Sequence, residues 1–240
     1  MNHTRWTACI TLLLLASQVM ATAPVMLDDT LALIRDHKLS EAVGQLKILC
    51  PVPRGKLSKA VKKGDEACQI LVFAIAEQEN IQRPTVLSNM YWVQGETAVE
   101  AGNLNRAELL YQIAIDKDPN NQSNWHSFGI LHRKQERYAD ALKDFERACS
   151  LNDNDPLSLY WVARTRMDLN DLEVASKLVD LLLLKDPTHA RAYWLRGEIL
   201  MRQQNWSAAL EAFQTAEDKG VPKRYLRPRI EECRSKLDQR

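Results

Sequence analysis

Four stretches of this chain repeat one pattern with a period of 34 residues, beginning at Ser88, Gln122, Pro156 and Ala190 with no insertion between them. Self-similarity at such a period marks architectures in which one supersecondary unit is stacked on copies of itself. The eighth position of the copies reads Gly95, Gly129, Ala163 and Gly197, and the twentieth reads Ala107, Ala141, Ala175 and Ala209. The twenty-fourth reads Tyr111, Phe145, Val179 and Phe213, and the twenty-seventh Ala114, Ala148, Leu182 and Ala216. Pro119, Pro187 and Pro222 close copies one, three and four, while copy two ends in Asp-Asn-Asp before Pro156.

These positions have a mechanical reading. Small residues at eight and twenty let two antiparallel helices approach closely, and a large residue at twenty-four fills the gap on the facing side. Proline after each second helix stops it, because the ring removes a donor and clashes with the preceding turn. Asn103, Arg137, Asn170 and Asn205 mark the turn inside each pair. Each copy is therefore a helical hairpin that cannot bury its own face and must stack on its neighbours.

The arrangement resembles the tetratricopeptide repeat (TPR), whose pattern has a large residue at four, Gly or Ala at eight, Ala at twenty, an aromatic at twenty-four, Ala at twenty-seven and Pro at thirty-two. Tyr91, Trp125, Leu159 and Tyr193 occupy position four, and the resemblance covers 88–223. It implies an all-α fold, a right-handed α-solenoid of helical hairpins, with repeats at 88–121, 122–155, 156–189 and 190–223. Repeat three departs most, with Ala163, Val179 and Leu182, which reads as repacking and not as a break.

The flanks extend the solenoid. In the region 24–87, Leu27 to Cys50 reads as a degenerate helical pair, with Leu31 and Ile34, then Ala42, Leu46 and Leu49, on apolar faces. Asp65 to Asn80 reads as a further helix ended by Pro84, with Ile70 to Ala76 as a core segment. In the region 224–240 a capping helix is expected from about Pro228 to Leu237, where Ile230 and Leu237 share one face.

The first 23 residues are expected to be a signal peptide: Arg5, an apolar run from Ala8 to Met20, then Ala21-Thr22-Ala23 in the A-x-A pattern of a cleavage site. The run falls short of the ~20 residues a membrane-spanning helix needs. A retained anchor is the alternative. Removing Arg5 with this segment leaves a formally neutral mature chain, which gives no support to nucleic-acid binding.

Export implies an oxidising compartment, so a disulfide between Cys50 and Cys68 is expected, closing a short loop and contributing about 3 kcal/mol on the chain-entropy model. Two buried thiols are the alternative. Cys149 and Cys233 are expected to stay as thiols, and no Cys/His spacing resembles a metal or haem site.

What the resemblance implies about function concerns the inner wall, which in this family is built by positions two, five, nine and twelve. Position five reads Trp92, His126, Tyr160 and Trp194. Position nine reads Glu96, Ile130, Arg164 and Glu198, and position twelve reads Val99, Arg133, Met167 and Met201. Flat side chains at 34-residue intervals suit capture of a protein or peptide partner, since they lose little rotamer entropy and offer polar edges. Packing between helices is the alternative reading of the ladder. With Trp92 and Glu96 where carboxylate-clamping members carry Lys and Asn, a mixed, largely apolar peptide or helix is expected instead of an acidic tail.

Two basic clusters, Arg54 to Lys63 and the segment 223–240, suit peripheral contact with an anionic surface, or are simply solvated. Motifs for catalysis are missing: there is no G-x-S-x-G elbow, Gly-rich phosphate loop or H-E-x-x-H. No cofactor is expected, and His132 at position eleven reads as a core histidine. By analogy the chain looks like a periplasmic assembly factor, of a pilus, secretion, cytochrome-maturation or outer-membrane system. A self-assembling envelope subunit is the second reading. A eukaryotic secretory protein is the third, since Asn121 and Asn205 begin glycan-acceptor sequons.

Overall fold

A computed structural model describes residues 26–51, 60, 65–78, 84–152 and 155–239. The proposed signal peptide lies outside these residues, as do the basic positions Arg54 to Lys63. The described residues form helices and connections, with no strand among them. α1 covers 26–35 and is followed by α2 (Leu39–Leu49), α3 (Glu66–Gln78), α4 (Pro84–Glu100), α5 (Leu104–Lys117) and α6 (Gln122–Lys134). Then come α7 (Tyr138–Leu151), α8 (Pro156–Asp168), α9 (Leu172–Lys185), α10 (Ala190–Arg202), α11 (Trp206–Asp218) and α12 (Lys223–Asp238). The chain divides into two compact units, the first ending at Asn124 and the second starting at Trp125. Within each unit helices pack mainly on their sequence neighbours, as an all-α solenoid requires.

The hairpins close through one recurring contact. Ala107, Ala141, Ala175 and Ala209 are fully buried, as are Ala114, Ala148, Leu182 and Ala216 at position twenty-seven. A Cβ placed on Gly95 would lie 2.5 Å from the Tyr111 ring, one on Gly129 2.7 Å from Phe145, and one on Gly197 2.5 Å from Phe213. The ring at twenty-four thus rests on bare backbone at eight. Repeat three uses a different split, with Ala163 at eight and the smaller Val179 at twenty-four, both in the core with the larger Leu182 at twenty-seven. Its departure is repacking, as expected.

Each turn uses the same left-handed residue: Gly102, Glu136, Asn170 and Gln204 have φ of 77°, 61°, 63° and 60°. The following residue caps the second helix. Asn103 accepts from Arg106 N, Asp171 from Val174 N and Asn205 from Ala208 N, whereas Arg137 makes no side-chain cap. In repeat three, then, Asn170 is the left-handed turn residue and Asp171 the cap. His37, at φ 60°, makes the same turn between α1 and α2.

The N-terminal unit holds the expected helical pair, with Leu31, Ile34, Ala42 and Leu46 fully buried. Cys50 and Cys68 are joined by a disulfide that ties the end of α2 to α3. Arg106 on α5 is 8% exposed and holds Asp28 at 2.6 Å and Glu66 at 2.9 Å, linking α1 and α3 to the first repeat. Pro84 opens the described part of α4, and the expected end of α3 near Asn80 lies outside the described residues.

The capping helix begins earlier than the sequence suggests, at Lys223, and carries Pro228 inside it. A proline there deletes one rung of the backbone ladder, and the helix continues because its apolar face is already docked. That face is Leu226 and Cys233, both fully buried, with Ile230 between them, while Leu237 is only half-buried. Cys149 and Cys233 keep their thiols, and burial raises the pKa of Cys233.

Gly197→Ala is expected to lower the unfolding free energy by about 1–3 kcal/mol through overpacking against Phe213. Adding Phe213→Val, the pairing repeat three uses, should cost less than the sum of the single changes, as read from urea denaturation of all three variants.

Candidate binding face

Three of the four ladder residues lie in the C-terminal unit, and the structure brings two of them together. Tyr160 on α8 and Trp194 on α10 line one cleft of about 490 Å³ with Trp161, Ala190, Arg191, Gly220, Val221, Pro222 and Tyr225. Trp194 stacks on Tyr225 of the capping helix (centroids 6.3 Å apart, planes at 18°), and Tyr160 stacks on His189 (5.7 Å, 25°). Tyr160 is largely buried and its phenol pKa is raised by that burial, so it serves as a wall of the cleft. His126 is packed edge-on against Phe145 and Trp161. Burial lowers its pKa, so the neutral ring is favoured. The packing alternative therefore applies to His126, and the cleft to Tyr160 and Trp194.

Trp92 and Glu96 belong to the N-terminal unit. Trp92 is half-buried, and Glu96 accepts the Tyr111 hydroxyl at 2.6 Å. That bond orients the ring resting on Gly95, so Glu96 has a packing task within its own hairpin.

The charged positions of the C-terminal unit pair with one another from repeat to repeat. Arg133 Nε donates to Asp168 at 2.7 Å, while its guanidinium lies 5.2 Å from the centre of the Trp161 ring. Arg164 reaches the other oxygen of Asp168 at 3.9 Å and donates to Glu198. Glu198 in turn is 3.9 Å from Arg229 of the capping helix. Arg202 donates to the Met167 carbonyl. The mixed charges of the face thus form an alternating chain, Arg133, Asp168, Arg164, Glu198, Arg229. Beside it a second, smaller pocket is lined by Met167, Glu198, Met201, Arg202, Trp206, Arg229 and Glu232. Met167 is 1% exposed and gives that pocket a floor, whereas Ile130 at position nine is 37% exposed.

His132 is the core histidine the sequence suggests: it is 4% exposed, with Nδ1 2.6 Å from Asp144. Burial raises the pKa of Asp144, and the bond to His132 opposes that rise. Among the described residues no group of His, Cys, Asp and Glu could hold a metal ion, and no helix is long and apolar enough to cross a membrane. In the basic C-terminal segment, Lys223 is held by Glu217 at 2.8 Å, and Arg229 by Glu232 at 3.5 Å.

Sequence reading missed Trp161, Arg191, Tyr225 and the linker Gly220-Val221-Pro222. Tyr225 could have been found by continuing the repeat register past Pro222, since an unpartnered aromatic just after the last proline faces the last repeat. Because Arg164 and Glu198 are largely buried, Arg164→Met should destabilise the fold by about 1–2 kcal/mol by leaving two carboxylates underpaired. Arg196→Met, removing the exposed pair with Asp180, should change it by less than about 0.5 kcal/mol in the same urea titration.

Comparison with known proteins agrees with the hairpin geometry. The tetratricopeptide repeat family model matches residues 93–158, 126–178 and 160–222. Anaphase-promoting complex subunit 3 of Schizosaccharomyces pombe is 28% identical over 130 residues, which is 53% of this chain but 19% of that protein, so the chain spans about a fifth of its relative's length. Among solved structures, YrrB superposes with a TM-score of 0.55 at 21% identity, covering 79% of this chain and 90% of YrrB. MamA gives 0.55 at 16% identity, covering 70% and 96%. The chain belongs to the tetratricopeptide repeat family.

Proposed function

We propose that the chain is a non-catalytic binding scaffold that captures a partner peptide or helix on the face carrying positions five, nine and twelve. The observation that carries this reading is the aromatic cleft built by Tyr160, Trp194 and Tyr225, beside a wall whose charges are already neutralised among themselves. Such a face offers apolar contact and a few hydrogen bonds, the profile of peptide sites. The likeness to YrrB, a TPR protein with an unusual peptide-binding site, points the same way. We place the protein in the periplasm after export, where it serves assembly of an envelope complex such as a pilus, secretion, cytochrome-maturation or outer-membrane system. The disulfide between Cys50 and Cys68 supports an oxidising compartment.

A second reading, a self-assembling subunit, is favoured by one feature of α9, where Leu181 and Leu184 are 41% and 80% exposed. Light scattering across a concentration series separates the two, since self-assembly raises the mass with concentration and a scaffold for other proteins does not.

With a photo-reactive residue in place of the exposed Ile130, the scaffold is expected to crosslink one dominant protein in the native envelope. Crosslinks only to itself would favour the second reading, and no crosslink from this position would remove the face as the docking surface.

A further inference from the structure

We infer that the cleft between repeats three and four and the capping helix takes one large apolar side chain of an extended peptide, with a carboxylate-bearing residue next to it in sequence. This rests on the scaffold reading and narrows it to one site and one kind of segment.

Three features of the cleft converge on that occupant. Four rings, Tyr160, Trp161, Trp194 and Tyr225, line it together with Val221 and Pro222, and its volume of about 490 Å³ falls within the range of small-ligand sites. Rings held by stacking on His189, Phe145 and Trp194 are ordered before anything arrives, so a partner meets little entropic resistance.

Polarity supplies the second feature. The indole Nε1–H of Trp194 is buried without a hydrogen-bond partner. A buried donor left unmet in apolar surroundings is costly, and a partner that turns the indole so that an acceptor meets this N–H removes that cost. The carbonyl of an extended backbone is such an acceptor, neutral enough to enter among rings.

Charge is the third. Arg191 is the single charged residue among those that line the cleft, and it is exposed. Arg224 stands against Tyr225, its guanidinium 4.8 Å from the centre of that ring and Nη2 3.1 Å from the Tyr225 hydroxyl. Among the described residues no carboxylate lines the cleft, while the acids Asp168 and Glu198 are committed to Arg133, Arg164 and Arg229. The mouth is therefore cationic and selects an acidic neighbour for the anchor. The linker makes this geometry possible: Gly220, at φ 104°, turns the chain out of α11, Val221 tucks beneath, and Pro222 precedes the helix that presents Tyr225.

The test is a positional-scanning array of short acetylated, amidated peptides probed with the purified full chain, so that no terminal charge contributes. Enriched peptides are expected to carry Phe, Leu or Met with Asp or Glu adjacent. For an enriched peptide, Tyr225→Ala and Arg191→Glu should each weaken binding about tenfold, and Trp194→Phe, which keeps a ring and loses the donor, about threefold. Arg191→Glu should in turn prefer the same peptide with its acid replaced by Lys, a reversal that misfolding cannot mimic. Enrichment of basic neighbours, no enrichment at all, or affinity indifferent to all three substitutions would overturn the inference. If Ile130 crosslinks a partner while the array stays flat, the cleft inference fails and the scaffold reading stands. Enrichment of the expected peptides without an Ile130 crosslink supports the cleft and removes the wider face.

Discussion

The contact between the ring at position twenty-four and the backbone at position eight sets the distance between the two helices of each pair. That distance decides where the next pair can stack. Three repeats solve it with glycine under an aromatic ring, and repeat three solves it with Ala163 under Val179. Since neither partner has slack, the two positions vary together, and a change at one is felt at the other. The alanines at twenty and twenty-seven then let the hairpin close along its length.

Regular stacking has a consequence for electrostatics. Within the C-terminal unit, residues one repeat apart face each other, so Arg133 meets Asp168 and Arg164 meets Glu198. These charges hold successive helices together. On the proposed scaffold reading, recognition then falls to what the network leaves uncovered, the rings of the cleft. A charged surface read as a list of residues and the same surface read as pairs lead to different partners.

The repeats were legible because their signal recurs at a fixed period, and each copy corrects the reading of the others. Repeat three illustrates this: taken alone, Val179 and Leu182 carry no family mark, but the register around them fixes their place. The capping helix has no second copy, so its start was misplaced by the usual meaning of Pro228, although docking of Leu226 and Cys233 carries the helix through it. The cleft was half legible. Tyr160 and Trp194 follow from periodicity, and Arg191 shares a helix with Trp194, whereas Tyr225 reaches it through a linker whose path depends on the left-handed turn at Gly220. Pairing among the wall charges was hidden too, because side-chain reach along a stack is not written in spacing alone.

The two units fasten their outer helices by different means. At the C-terminal end α12 lays Leu226 and Cys233 on the last repeat, a closure made of packing alone. Near the other extremity a covalent bond between Cys50 and Cys68 fastens α2 to α3. In a linear stack, unravelling starts where the last unit is least well held. A reducing environment would loosen the N-terminal unit and leave the C-terminal unit untouched, so the redox state of the surroundings decides which unit opens first.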